Sequence, residues 1–398
     1  MEREYEYLLA ILKAFLLEQT PEKRENVDWK KLAQLSRIHC VTGILGYMTM
    51  KYPICPDGAL CAALRRGCLE TIALFTRRGK AMEELSALLG REQIRHIVMK
   101  GYVLRECYPV PELRTYGDID FVIRPEDRQR VHRLMLDQGF RTENDWEPVF
   151  GYVREPEYYE AHTQILEPDI LPRWNPGDLW QHTQPSKGFC LRFTPEFHFL
   201  YLIAHIAKHV RGSGAGARMY LDVAAFARRF GGHMDWARVR RELEEQGLRP
   251  FAGTVLSCCS DWFGVETPLD IPRPEPDVLA EFTAFTMEAG IFGRYQREGG
   301  VVTLKNESAH PEDKLGALTH RLFPAAGEID SRYTYLQDKP WLLPAAWVHR
   351  LIKTGAALPE HAREAAGILS ADREEVKRLR SLMEAVGLAE EDGKKSRK

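Results

Sequence analysis

No Cys-x-x-Cys spacing occurs among the eight cysteines, which removes the usual signatures of zinc ribbons and dithiol redox sites. The thiols are scattered, with Cys258-Cys259 as the one adjacent pair, a usage that points to reduced cysteines and a cytoplasmic protein. No uninterrupted apolar run approaches the roughly 20 residues needed to span a bilayer, so no membrane partner is expected. An excess of either charge is lacking too. The 55 basic and 57 acidic residues leave a formal net charge of -2, too little to hold nucleic acid or an anionic membrane non-specifically. The first twenty residues, MEREYEYLLAILKAFLLEQT, have no basic stretch leading to a small-residue cleavage site and read as a helix. No internal repeat is present. What remains is a chain of 398 residues, 44% of them hydrophobic, long enough for two or three packed units.

Apolar spacing predicts helices over 2–18, 29–50 and 57–89, with Pro53 and Pro56 punctuating the last two. From Ile94 the texture changes to short β-rich runs: 94–100, 118–123, 148–155 and 158–166. A short helix is expected after the first run, and an amphipathic helix opened by Pro125 and closed by Gly139 after the second. A loop over 167–187, rich in Pro, Trp and Asp, has the length of a lid or substrate wall. Helical patterns return over 197–210, 217–230, 236–246 and 251–263, and again over 340–354 and 373–386.

The chemically informative stretch is LRTYGDIDFVIRPED, residues 113–127. Alternation along a strand puts Asp118 and Asp120 on one face and Ile119, Phe121 and Ile123 on the other. Two adjacent carboxylates repel each other unless a cation lies near them. Oxygen ligands at i and i+2 suit Mg²⁺ or Mn²⁺. In YYEAHTQIL the same alternation groups Glu160 with His162 and Gln164. If the two strands are neighbours, Glu160 completes a triad able to hold two metals roughly 4 Å apart, the spacing of two-metal phosphoryl transfer. Glu157 and Glu167 lie close to it in sequence, and strand parity alone favours Glu160. The other reading of the aspartates is a capping residue and a solvated edge. The acids stand before the apolar run, whereas in many glycosyltransferases they follow it, which argues against sugar transfer.

Lys100 and Gly101 stand where an apolar strand turns into a helix. Such a turn can present backbone N–H groups to a phosphate, with Lys100 and Arg114 as cationic donors, or it can be a plain turn with a solvated lysine. His205 and His209 share a helical face near Lys208. With no third ligand and no HExxH glutamate, they read as a wall for nucleotide or acceptor phosphate rather than a zinc site, or as a solvated helix end. Asp222 follows Arg218 by four residues and is placed to pair with it.

Taken together, Lys100-Gly101, Tyr108-Pro109, Arg114 and Gly117-Asp118-Ile119-Asp120 resemble the core of the uncharacterised bacterial nucleotidyltransferase family within the DNA polymerase β superfamily. Glu160-Ala161-His162 resembles its following acidic strand. His205, Lys208, His209 and Asp222 resemble its helical part, and the likeness extends from about residue 30 to 355. Many superfamily members carry Gly-Ser at the phosphate turn, where this chain has Lys100-Gly101-Tyr102. The resemblance implies an α+β fold, a small mixed sheet forming the nucleotidyltransferase core with flanking helices and mainly helical terminal regions. The patterns along the chain divide it into a helical region 1–90, a core 91–194, a helical domain 195–270, a helical extension 271–389 and a disordered tail 390–398. The resemblance also implies transfer of a nucleoside monophosphate from an NTP, with Mg²⁺ or Mn²⁺ held by Asp118, Asp120 and Glu160, and with Lys100, Gly101, Arg114, Gly117, His205, Lys208 and His209 contacting the nucleotide. The acceptor, a protein, tRNA or small molecule, is not implied. The alternative is a non-catalytic nucleotide- or partner-binding module on a degenerate form of the fold.

Overall fold

A computed structural model describes residues 2–56, 58–166, 171, 173–212, 214–290, 319, 323–329, 333, 335–353 and 372–388. The expected tail 390–398 lies outside them. Four helices come first: α1 (Arg3–Leu16), α2 (Trp29–Ile38), α3 (Thr42–Lys51) and α4 (Gly58–Arg91). The single helix expected over 29–50 is therefore two. Asp28 caps α2 by accepting from the backbone N–H of Lys30 and Lys31. The helix ends at His39, and Cys40 takes a positive φ of 53°. No glycine or proline marks that break. Long-range contacts hold it instead, since His39 accepts from Ala217 N at 3.0 Å and donates to Met287 O at 3.1 Å.

Seven strands follow: β1 (His96–Val98), β2 (Ile119–Val122), β3 (Arg141–Trp146), β4 (Val149–Arg154), β5 (Glu157–His162), β6 (Thr183–Lys187) and β7 (Cys190–Phe193). They form one mixed sheet in the order β3-β4-β5-β2-β1-β7-β6. Parallel pairing joins β2 to β5 and β1 to β7, and the other neighbours are antiparallel. β6 and β7 make a hairpin partly in the segment expected to be a lid, turned at Gly188 with φ 59°. Pro185 is tolerated because β6 is an edge strand. Residues 167–170 and 172 of that segment lie outside the described part.

α5 (Gly101–Leu104) and α6 (Arg128–Asp137) lie between strands, and α7 (Pro195–Gly212), α8 (Ala217–Phe230), α9 (Trp236–Glu245), α10 (Arg249–Phe263) and α11 (Pro276–Ala289) follow the sheet. Alternation divides the strand side chains between two cores. Ile119, Phe121, Tyr159 and Ala161 pack with Met82 and Leu85 of α4 and Val131 and Met135 of α6. A larger core joins Tyr7, Leu8, Leu12 and Phe15 of α1 to Phe197 and Tyr201 of α7, Tyr220 of α8 and Phe251 of α10. α1 thus packs into the same core as the helices that follow the sheet. Later helices occupy Leu343–Lys353 and Arg373–Ala385, and Val376, Leu379 and Leu382 of the second join the larger core. Among the described residues no helix is long and apolar enough to cross a membrane.

Candidate active site

β2 runs parallel to β5 with Asp120 directly opposite Glu160 and Val122 opposite His162. Residues opposed in register face the same side of a sheet, so the even-numbered positions gather three functional groups. His162 Nε2 lies 2.8 Å from Asp120 Oδ1 and 3.4 Å from Glu160 Oε2. Since a carboxylate only accepts, His162 carries its proton on Nε2 and donates to Asp120. Lys100 Nζ reaches the same Oδ1 at 2.6 Å. Asp118 is half-buried, one residue before β2. Glu157 is used elsewhere, paired with Arg77 and with Arg78 Nε at 3.1 Å, and Glu167 lies outside the described residues.

Burial opposes the charge on Asp120, but Lys100 and His162 outweigh it and hold this carboxyl well below the usual range. Burial likewise opposes the charge on Lys100, and Asp120 more than compensates, raising it above its ordinary value. For Asp118 the help from Lys100 is outweighed. Burial, then the charge of Asp120, push it up to about 6.

The turn that carries Lys100 is built on close approach. Lys100 has φ 50° and ψ -127°, a conformation natural to glycine, and a side chain held there costs about 1–3 kcal/mol. A Cβ on Gly101 would fall 2.4 Å from Tyr116 Cβ and 2.6 Å from Arg114 Nη1. Gly101 therefore lets Arg114 and Tyr116 close over the turn. α5 after it is only four residues long, too short to present the strong helix dipole expected of a phosphate turn.

Arg114, expected as a phosphate donor, has its guanidinium engaged within the protein. Its Nε and Nη2 bind Asp222 Oδ1 and Oδ2 at 3.0 and 2.6 Å, and its Nη1 donates to Thr115 O at 3.0 Å. Tyr108 OH adds a 2.7 Å bond to Asp222. The Asp222 carboxylate is thus engaged by Arg114 and Tyr108, while Arg218, expected to pair with it, donates to Thr115 O.

α7 lies over the acids with His205, Lys208 and His209 toward them. The Nε2 atoms of His205 and His209 are 3.2 Å apart, so one ring donates and the other accepts. Burial, reinforced by neighbouring cations, holds His205 well below its ordinary value and takes His209 down to about 4. No third ligand joins this pair among the described residues. Among the described residues, the groups close enough to share an ion are Asp120, Glu160 and His162, whose ligand atoms lie within 4.8 Å of one another.

All ten residues expected from the sequence line one cavity of about 800 Å³: Lys100, Gly101, Arg114, Gly117, Asp118, Asp120, Glu160, His205, Lys208 and His209. Reading by motif misses the opposite wall. Arg37, Cys40 and Thr42 from the α2–α3 junction and Thr71 and Leu74 of α4 line it, while Asn144 of β3 also lines the cavity from the acids' own sheet, in register with Glu160 through Gly151. No local pattern announces them, because tertiary packing alone brings α2 to α4 there. The bond from Thr115 Oγ1 to Cys40 O at 2.7 Å pins that wall to the loop before Asp118.

Two carboxylates in register, Asp120 and Glu160, fit a hard divalent cation, while Asp118, two residues before Asp120, lies outside the group close enough to share an ion. The two hydrogen bonds to Asp120 both fall on Oδ1. No curated protein and no solved structure matches the chain. The model of a family described as uncharacterised nucleotidyltransferase matches residues 25–264, a span that holds the whole sheet and every cavity residue named above. With its acids, its cavity and more than half its length inside that match, the chain belongs to this nucleotidyltransferase family.

Proposed function

We propose that the protein transfers a nucleoside monophosphate from an NTP to an acceptor hydroxyl and releases pyrophosphate, in a reaction that depends on Mg²⁺ or Mn²⁺. The observation that carries this reading is the register of Asp120 against Glu160, with Asp118 two residues before, on the wall of a cavity of about 800 Å³. That volume is of the size that small-molecule sites commonly have. Asp118, Asp120 and Glu160 would hold the metal, which when bound neutralises triphosphate charge and lowers the pKa of the attacking hydroxyl. The acceptor oxygen forms a bond to the α-phosphorus, and the bond from that phosphorus to the bridging oxygen breaks. Glu160, less buried than Asp120, receives the acceptor proton. His162 and Lys100 fix the rotamer of Asp120. Lys208, His205 and His209 wall the side toward which the phosphates extend. Residues 91–194 act as the catalytic core in this reading, with the flanking helical regions closing the cavity.

The Lys100–Asp120 ion pair favours a second reading, a binding module in which the lysine permanently replaces a cation. One assay separates them. Purified protein is incubated with each α-³²P-labelled NTP, Mg²⁺ or Mn²⁺ and fractionated lysate, beside an Asp118→Ala/Asp120→Ala variant. Label entering a protein, RNA or small-molecule fraction only with the intact protein supports transfer and identifies the acceptor class. NTP binding without label in any fraction supports the module.

A further inference from the structure

The cavity has a second charged end, built around Arg218 in the first turn of α8. Arg114 and Arg218 both donate to one carbonyl, Thr115 O. Asp222 is the carboxylate in their midst, and Arg114 grips it through two bonds while Tyr108 takes a third. Of two neighbouring guanidiniums only Arg114 binds the carboxylate, so one positive charge is left over. Among the described residues no carboxylate forms an ion pair with Arg218, and its Nε is buried with no hydrogen-bond partner. That buried N–H marks a guanidinium short of acceptors, and the side chain, half-buried as a whole, lines the cavity with the part that stays accessible.

From this we infer that Arg218 is the guanidinium that binds a phosphate oxyanion of the substrate, with Lys208 and His209 on the same wall, in the part the sequence assigns to Arg114. Arg218, Lys208 and His209 all line the cavity that holds the acids. The N-cap residue of α8, Gly216, supplies no side-chain acceptor and His39 takes only the Ala217 N–H, so the helix dipole adds positive potential at that end. The mutual effects of the neighbours point the same way: burial and then Arg114 lower the Arg218 value, as expected for a cation crowded by a cation and short of an anion. A planar guanidinium suits a phosphate, whose oxygens accept two parallel bonds.

The inference rests on the proposed transfer, yet its test does not need turnover. Binding of inorganic pyrophosphate to the full-length protein is measured by calorimetry in metal-free buffer, for the natural protein, Arg218→Met and Arg218→Lys, each checked for folding by thermal melting. Arg218→Met is expected to weaken pyrophosphate by about tenfold or more, the loss of one charge-assisted contact. Arg218→Lys should fall between, since it keeps the charge and loses the fork. If Arg218→Met does not fold, Arg218→Lys and Arg218→Gln supply the comparison. No binding to the natural protein, or equal binding by folded variants, overturns the inference. Pyrophosphate binding that depends on Arg218, with no labelled product from any NTP, would overturn the transfer reading and leave the anion site standing.

Discussion

Asp120 and Glu160 oppose each other across the parallel pairing of β2 and β5, and His162 and Lys100 gather around that pair. The odd positions beside them, Ile119, Phe121, Tyr159 and Ala161, are buried against α4 and α6. The hydrophobic effect therefore fixes the register, and a slip by one residue would turn the carboxylates into the apolar core.

Asp118 stands before the strand and takes no part in the bonds to Lys100 or His162. Asp118→Asn is expected to keep the melting temperature close to that of the natural protein and to lower nucleotidyl transfer by about 100-fold or more, the usual effect of removing one electrostatic contact to a transition state. Label transfer measured beside a thermal melt checks this. Full activity in a folded Asp118→Asn protein would remove this residue from the metal site.

Arg114 and Asp222 form a buried bidentate pair, both about 5% exposed or less. Breaking such a pair from one side leaves a bare charge in the interior, and Asp222→Asn or Arg114→Met should cost about 3–5 kcal/mol by urea unfolding. Tyr108→Phe, which removes only a hydroxyl bonded to the same carboxylate, should cost less, about 1.5–3 kcal/mol. A loss below about 1 kcal/mol for Asp222→Asn would show that the pair does not bind the loop to α8 as described.

Two glycines sixteen positions apart should respond differently to alanine. The Cβ of Gly101→Ala meets Tyr116 and Arg114 at 2.4–2.7 Å, an overpacking worth about 1–3 kcal/mol. A Cβ at Gly117 meets nothing within 4 Å, so Gly117→Ala should change stability by no more than about 0.5 kcal/mol. Urea unfolding of the two variants side by side decides it, and equal stability losses would contradict the packing of the turn.

The legible part of this protein is the part governed by short-range periodicity. Helical spacing finds α1, α4, α7 and α8, and strand parity selects Glu160 from three nearby glutamates before any fold is known. Glu157 has the opposite parity and is consumed by Arg77 and Arg78. What could not be read depends on partners far along the chain. The break between α2 and α3 rests on His39 meeting Ala217 and Met287. β3 is the polar run RTENDW, and β6 contains a proline, so neither carries the apolar alternation that marks a strand. The partner of Arg114 lies 108 residues away, and no local spacing signals it.

Acid should loosen the fold through its buried histidines. His39 and His198 are almost wholly buried, and burial lowers both to about 4. The unfolded chain takes up these protons near pH 6.5, so their contribution is complete above that value and is lost as pH falls toward 4. Each is worth up to about 3 kcal/mol across that window. Protonating His39 would also end its acceptance from Ala217 N. Urea unfolding at pH 7.5, 6 and 5 should show stability falling with pH, and less steeply in His39→Gln. An identical slope in that variant would mean that His39 is already charged in the folded protein.

Lys100 and His162 share one oxygen of Asp120, and this gives the residue a meaning for genetics as well as for chemistry. Removing the Asp120 carboxylate strands an ammonium and an imidazole together, beside a lysine backbone already held at φ 50°. The phenotype of such an allele would combine a lost ligand, a displaced lysine and a relaxed turn, and inactivity alone would not say which had mattered. A substitution at Asp118 asks the narrower question.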